Sequence, residues 1–193
     1  MVNYKKIAIS GVHSSGKTTS LSYVTYKIKS RENVIGILNE VARDCPYPLG
    51  VNGNFQTQWW ILNNQILKEY QLQRMYDTII CDRSVFDVMV YSDVLFYNGK
   101  MSNGESFIIW KTALEWAKQN PYEAIIFLTP LKFEEDKQRT KSTEFAKEIY
   151  NSFNDVLFTN LPKETRVYVV DEPEKDNRCK KVGEIIEQLM SGK

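Results

Sequence analysis

Five short apolar runs punctuate the chain: KIAIS (6–10), NVIGIL (33–38), DTIIC (77–81), EAIIFL (123–128) and RVYVV (166–170). Each is rich in Ile or Val and continuously apolar, which predicts strands buried on both faces. Between them the period changes. Leu21, Val24 and Ile28 recur at i, i+3 and i+7, and Leu62, Ile66 and Tyr70 recur every four residues. Trp110, Ala113, Leu114 and Ala117 form a third stripe, Phe145, Ile149, Phe153 and Val156 a fourth, and Val182, Ile185, Ile186 and Leu189 a fifth. These are helix faces. Strands alternating with helices imply right-handed crossovers and a parallel sheet covered on both sides. With no repeat, low-complexity tract or linker in view, the expectation is one α/β domain over residues 1–193.

In such a sheet, ligands gather beyond the carboxyl ends of the strands. The segments that follow the five runs are GVHSSGKT, NEVARDCPYP, DRSVFD, TPLKFEED and DEPEKDN. The first of them, Gly11 to Thr18, matches the phosphate-loop (Walker A) pattern G-x-x-x-x-G-K-[ST], with a strand before it and an amphipathic helix after it. Gly11 lets the chain leave the strand sharply, and Gly16 lets backbone amides approach phosphate oxygens. Ser14 and Ser15 complete the loop that runs into the anion-favouring start of a helix. Lys17 can reach β and γ phosphates, Thr18 can ligate Mg²⁺, and Thr19 supports the helix start. His13, the sole histidine, sits in this loop and is read as a bystander beside the phosphates.

Composition narrows the chemistry. Of 193 residues, 42% are hydrophobic and 25% charged, with 25 Lys plus Arg against 24 Asp plus Glu. The net charge of +1 supplies no global basic field, which counts against a nucleic-acid substrate. Cys45, Cys81 and Cys179 lie far apart in no metal-ligand spacing, as expected of reduced thiols in a cytoplasmic protein. The opening MVNYKK lacks the profile of a signal peptide. No apolar stretch approaches the roughly 20 residues needed to cross a membrane.

A phosphate loop does not choose its reaction. A GTPase would carry a guanine-reading N-K-x-D, which the chain lacks. A helicase would be longer and bring a second motor domain. The residues after the third run favour phosphoryl transfer: Asp82 can hold Mg²⁺ directly or through water, and Arg83 can neutralise charge on the transferring group or orient the acceptor. Ser84 and Asp87 have capping-box spacing and are expected to start the next helix. After the second run, Glu40 can accept a hydroxyl proton or hold an acceptor sugar, and Arg43 can grip phosphate. In CPYPLGVNGNFQTQWW, Tyr47, Phe55, Trp59 and Trp60 can stack on a flat acceptor, although Trp59 leads a helical stripe with Leu62 and Ile66 and is expected in the core. Gln56 is the better polar candidate, since an amide pairs with a base edge in both directions. The DEPEKDN loop is the expected neighbour of a purine.

Taken together, these residues make the chain resemble the P-loop nucleoside and nucleotide kinase superfamily, nearest to the nicotinamide-riboside-kinase-like AAA domains and the deoxynucleoside kinases. The resemblance implies a three-layer P-loop NTPase fold with a five-stranded parallel sheet and a helical lid at about 131–144, where Arg139 and Lys141, with Lys137 behind, would close over ATP. Deoxynucleoside kinases carry Glu-Arg-Ser where this chain has Asp82-Arg83-Ser84, a carboxylate where Glu40 lies, and a Phe-Gln pair where Phe55 and Gln56 stand. It follows that Glu40 would serve as base or sugar binder, Arg83 would act on phosphate, and Phe55 with Gln56 would meet the acceptor ring. Departures are the Asp in place of Glu, the short stretch between Glu40 and Gln56, and EVAR, which looks more like the nicotinamide-riboside-kinase branch. The expected activity is ATP- and Mg²⁺-dependent phosphoryl transfer to a small molecule, a nucleoside or nucleotide. The alternatives are a nucleotide-binding regulatory ATPase or GTPase module, or a kinase acting on a nucleic-acid hydroxyl. The apolar segment VFDVMVYSDVLFYNG would support a homodimer or serve as core.

Overall fold

The computed structural model describes residues 4–29, 35–131 and 140–191. In chain order its regular elements are β1 (Lys5–Ser10), α1 (Lys17–Lys29), β2 (Ile35–Leu38), α2 (Phe55–Leu72), β3 (Thr78–Asp82) and α3 (Val85–Tyr97). They continue with α4 (Asn103–Gln119), β4 (Ala124–Leu128), α5 (Thr140–Thr159), β5 (Arg166–Val170) and α6 (Lys175–Ser191). The strands form one sheet in the order β2-β3-β1-β4-β5, and every neighbouring pair is parallel. This is the expected five-stranded α/β architecture.

Side chains alternate across the sheet as the pleat demands. Ile7, Ile9, Ile80, Ile126 and Leu128 pack with Leu21 of α1 and Val182, Ile186 and Leu189 of α6. Ala8, Ile79, Cys81, Ile125 and Phe127 face the opposite layer, where Leu62, Met89, Ile109, Phe145, Ile149 and Phe153 bring in α2 to α5. The expectation of strands buried on both faces holds for β3 and β4, where every residue is buried, and for β1 after its first residue. It fails at the edges. β5 is buried only at Val170, and Val169 is 52% exposed. An edge strand has a neighbour on one side only, so part of its apolar run stays in solvent.

The chain reverses its direction of winding at β1, which lies between β3 and β4. A crevice therefore opens beyond its carboxyl end, and residues 11–16 leave β1 into it. Helix α3 is mostly buried among α2, α4 and α5, so most of the apolar run 85–96 is core, whereas Tyr97 at its end is 82% exposed. Among the described residues, no helix is long and apolar enough to cross a membrane. Of the lid expected at 131–144, residues 140–144 open α5, whereas Lys137, Arg139 and the Lys141 side chain lie outside the described residues.

Candidate active site

Positive φ angles at Gly11 (144°), Ser14 (60°) and Gly16 (90°) bend residues 11–16 around their own backbone before α1 begins. Such a turn and the free amides of a helix start make a concavity for anions. Gly11 is irreplaceable sterically, because a Cβ there would sit 2.6 Å from the Leu128 carbonyl oxygen and 3.0 Å from Ser15 Oγ. Gly11→Ala is accordingly expected to lose about 1–3 kcal/mol of stability, a fall in Tm of roughly 3–10 °C for a chain of this length. It should also weaken triphosphate binding at least ~10-fold, measurable by calorimetry, because the loop cannot keep its path.

Inside the loop Lys17 is only 5% exposed and donates from Nζ to the Val12 carbonyl oxygen at 2.6 Å and to Ser15 Oγ at 3.4 Å. Burial, then the Arg83 charge, lower its pKa from 10.5 to about 7. The same two influences, with Lys17 itself, hold His13 below its ordinary value. Thr18 Oγ1 donates to Asp82 Oδ2 at 3.2 Å, and Arg43 Nη2 donates to Thr18 Oγ1 at 3.0 Å. Thr19 lines the same side of the loop as Gly16 and Thr18.

Asp82 closes β3 opposite Ile9 of β1 and is 2% exposed. Its Oδ1 is buried without a hydrogen-bond partner among the described residues, and burial, reinforced by the Glu40 charge, raises its pKa. A buried, unsatisfied carboxylate oxygen next to a threonine hydroxyl fits a hard cation shared with phosphate oxygens. Mg²⁺ commonly takes one or two protein ligands and keeps water and phosphate for the rest. Consistent with so sparse a donor set, no cluster of three or more His, Cys, Asp or Glu that could hold a metal occurs among the described residues.

Arg83 is the hub. Its Nε donates to Glu40 Oε1 at 2.6 Å, and its Nη1 donates to the Gly11 carbonyl oxygen at 3.1 Å and to Asp87 Oδ1 at 3.3 Å. Burial opposes its charge, but Tyr91, Asp87 and Glu40 outweigh burial and hold the guanidinium protonated. Glu40 shows the reverse balance. Burial pushes its pKa up, yet Arg83, with a second donor in Arg43 Nε at 3.0 Å, brings it down to about 2. Ser84 and Asp87 form the expected capping box of α3. Asp87 does more than cap, because its Oδ2 also accepts from Ser10 Oγ at 2.6 Å and ties β1 to the start of α3.

Two hollows meet at this hub. One, of about 390 Å³, lies over the loop and is lined by Gly16, Lys17, Thr18, Arg43 and Lys175. The other, of about 340 Å³, is mostly apolar, with Leu49, Val51, Ile61, Val88, Tyr91 and Phe145 around the side-chain amide of Gln58. His13, Glu40 and Arg83 line both.

Phe55 and Gln56, expected at the acceptor ring, lie away from the apolar hollow. Phe55 stacks on Trp59 at 5.9 Å between ring centroids, Gln56 is exposed, and neither lines the apolar hollow. Gln58, two residues on and 3% exposed, takes that place. Asn54 caps α2, and within that helix Gln58 and Ile61 face the hollow while Gln56 lies on the exposed side. Trp59, expected in the core, is 37% exposed, and Tyr47 is 39% exposed. The rings that line the hollow are those of Tyr91 and Phe145; in sequence both sit on apolar faces that read as packing.

Arg178 of α6 had no signal in the sequence. It is 1% exposed, and its Nη1 donates to the carbonyl oxygens of Ser15 at 2.7 Å and Thr129 at 2.6 Å. Its Nε donates to the Glu172 carbonyl oxygen at 2.7 Å. One guanidinium thereby joins the phosphate loop to the ends of β4 and β5.

Comparison with known proteins agrees with this fold. The chain is similar to the solved deoxyadenosine kinase from M. mycoides with products dCMP and a flexible dCDP bound, at 16% identity and a TM-score of 0.67, covering 95% of this chain and 99% of that one. It is similar to the thymidylate kinase from Candida albicans at 19% identity and a TM-score of 0.68, covering 96% and 92%. No curated protein matches in sequence. The model of the AAA domain family matches residues 6–171. The chain belongs to that AAA domain family, with the P-loop fold of nucleoside and nucleotide kinases.

Proposed function

We propose that the chain is an ATP- and Mg²⁺-dependent kinase that passes the γ-phosphoryl group to a hydroxyl of a nucleoside, nucleotide or similar small molecule. One observation carries the reading: the hollow over the phosphate loop and the apolar hollow share Glu40, Arg83 and His13. A triphosphate in the first and an acceptor in the second would meet at a carboxylate and a guanidinium. In this reading residues 1–193 form one kinase domain with its lid at about 131–144, Arg139 included.

The geometry supports a role for each residue in this reading. The amides of residues 11–16 and Lys17 hold the terminal phosphates, with Lys17 Nζ leaving the Val12 carbonyl for phosphate oxygens. Thr18 and Asp82 would hold Mg²⁺, which would offset the negative charge of the phosphates. Arg83 neutralises charge developing on the transferred group. Glu40, with a pKa of about 2, is a weak base. It serves best as the acceptor that orients the attacking hydroxyl, which is sufficient for a loose phosphoryl-transfer transition state in which the proton leaves late. Arg43, bonded to both Glu40 and Thr18, belongs to the phosphate side. Gln58 reads the polar edge of the acceptor while Tyr91 and Phe145 flank its flat face. Three free cysteines, two of them buried, suit work in the cytoplasm.

The test is to incubate the protein with γ-labelled ATP, Mg²⁺ and a panel of nucleosides, nucleotides, nicotinamide riboside and short oligonucleotides. Label on a small-molecule product is the expected result. Label on the oligonucleotides would make it a polymer kinase, and label in inorganic phosphate alone would make it a regulatory NTPase. Within the same assay Asp82→Asn is expected to raise the magnesium concentration for half-maximal transfer at least about 10–100-fold, the usual cost of losing even an outer partner of a metal ligand.

A further inference from the structure

Arg83 has a backbone φ of +79°. A long side chain rarely adopts this left-handed conformation, which costs on the order of 1–3 kcal/mol and persists only where the surroundings over-determine it. The Arg83 amide donates to the Ile9 carbonyl oxygen at 3.0 Å. Its carbonyl oxygen accepts from Gln65 Nε2 at 3.3 Å. Two residues on, the Val85 amide donates to the Tyr122 hydroxyl at 3.1 Å. Gln65 and Tyr122 come from distant parts of the chain, and both are bound to one atom. Glu69 Oε1 accepts from Gln65 Nε2 at 2.9 Å and from the Tyr122 hydroxyl. Glu69 Oε2 accepts from Lys6 Nζ at 2.6 Å and from Trp116 Nε1 at 2.7 Å.

All four acceptor directions of the Glu69 carboxylate are thus filled, and neither Glu69 nor Lys6 is exposed at all. A buried ion pair is a poor source of stability, since well-packed apolar residues of equal volume often do as well or better. Its value is geometric. A saturated carboxylate cannot rotate, and each donor it fixes has a fixed direction in turn.

We propose that Glu69 is a positioning residue for Arg83, acting through Gln65 and Tyr122, which hold the turn that follows the strained residue and aim its guanidinium at Glu40 and the transferring phosphoryl group. The proposal rests on the kinase reading above for its effect on rate, and on geometry alone for its effect on Arg83.

The experiment leaves the Lys6–Glu69 pair intact and cuts the two connections. Gln65→Leu and Tyr122→Phe are expected to lower kcat on the order of 10–100-fold, as misplacement by about an ångström does, with KM for ATP changed less than about twofold. Ile186→Ala, in the opposite core layer, is the control for simple loss of stability and should keep kcat. A second readout needs no catalysis: the Nε–H NMR signal of ¹⁵N-labelled Arg83, which reports its bond to Glu40, should move in both variants and stay in the control. An unmoved Arg83 signal, or a kcat loss no larger than in a control of equal Tm, overturns the proposal. A parent protein that phosphorylates no acceptor, with the Arg83 signal moving as expected, overturns the kinase reading and leaves the positioning of Arg83 supported.

Discussion

Lys17→Met is expected to abolish phosphoryl transfer while raising the melting temperature at pH 6. The two effects share a cause. Lys17 is an ammonium enclosed by the loop, and burial and Arg83 hold its pKa at about 7. Below pH 7 the native protein must bury a charge that the unfolded chain leaves in water. That cost is complete below pH 7 and fades as the pH rises toward 10.5, where the unfolded lysine loses its proton too. Methionine removes the charge and keeps most of the volume, so its advantage in Tm over the parent should be larger at pH 6 than at pH 9. Transfer should fall by at least ~10³-fold, the upper range for losing one preorganised donor to developing charge. A further consequence concerns protons. At pH 8 much of the free protein has a neutral Lys17, whereas bound phosphates favour its ammonium, so nucleotide binding should take up protons. Calorimetry in two buffers of different ionisation enthalpy measures that uptake. Equal transfer rates for Lys17→Met and the parent would remove the phosphate loop from the mechanism.

The parts of the fold that were legible in the sequence are those governed by local rules. The loop from Gly11 to Thr18 carries its own conformational requirements in its glycines, and β1, β3 and β4 are continuously apolar because both faces are covered. The Ser84–Asp87 capping box needs only a spacing of three. What escaped was set by tertiary contact. In α2 the residues Leu62, Ile66 and Tyr70 step by four and drift around the helix by about 40° each time, and Tyr70 ends 46% exposed. The buried face of α2 is instead Thr57, Gln58, Leu62, Gln65 and Glu69, at true helical spacing but four-fifths polar. A search for apolar periodicity passes over such a face, because partners from β1, α4 and the segment before β4 are what make its burial tolerable. Arg178 and Gln58 were missed for the same reason. Each is a polar residue whose role depends on a backbone carbonyl or a hollow contributed by distant chain. Glu40, Asp82 and Arg83 were legible because strand ends in a parallel sheet converge, whichever helices surround them.

Arg83→Ala is the second large effect, expected to lower kcat by at least ~100-fold if the guanidinium stabilises developing charge. It should also change the acid side of the pH–rate profile. In the parent, burial raises and Arg83 lowers the Glu40 pKa, and Arg83 wins, leaving it at about 2. Glu40 is therefore ionised throughout the working range, and transfer should show no acidic limb from it near neutrality. The stability owed to this ion pair is present above the ordinary carboxylate pKa of 4.5 and is lost only as the pH falls toward 2. Without Arg83, burial acts on Glu40 opposed chiefly by the more exposed Arg43, and the limb should move upward by a unit or more on the scale of such partners. Arg83→Lys separates charge from shape. A lysine restores a cation but not the fork that reaches Glu40, Asp87 and the Gly11 carbonyl together. It is expected to return the acidic limb part of the way toward the parent while leaving kcat low. Arg83→Ala with the parent's kcat and an altered KM alone would reduce Arg83 to a binding residue, and an unshifted acidic limb would show that Glu40 is held by Arg43 instead.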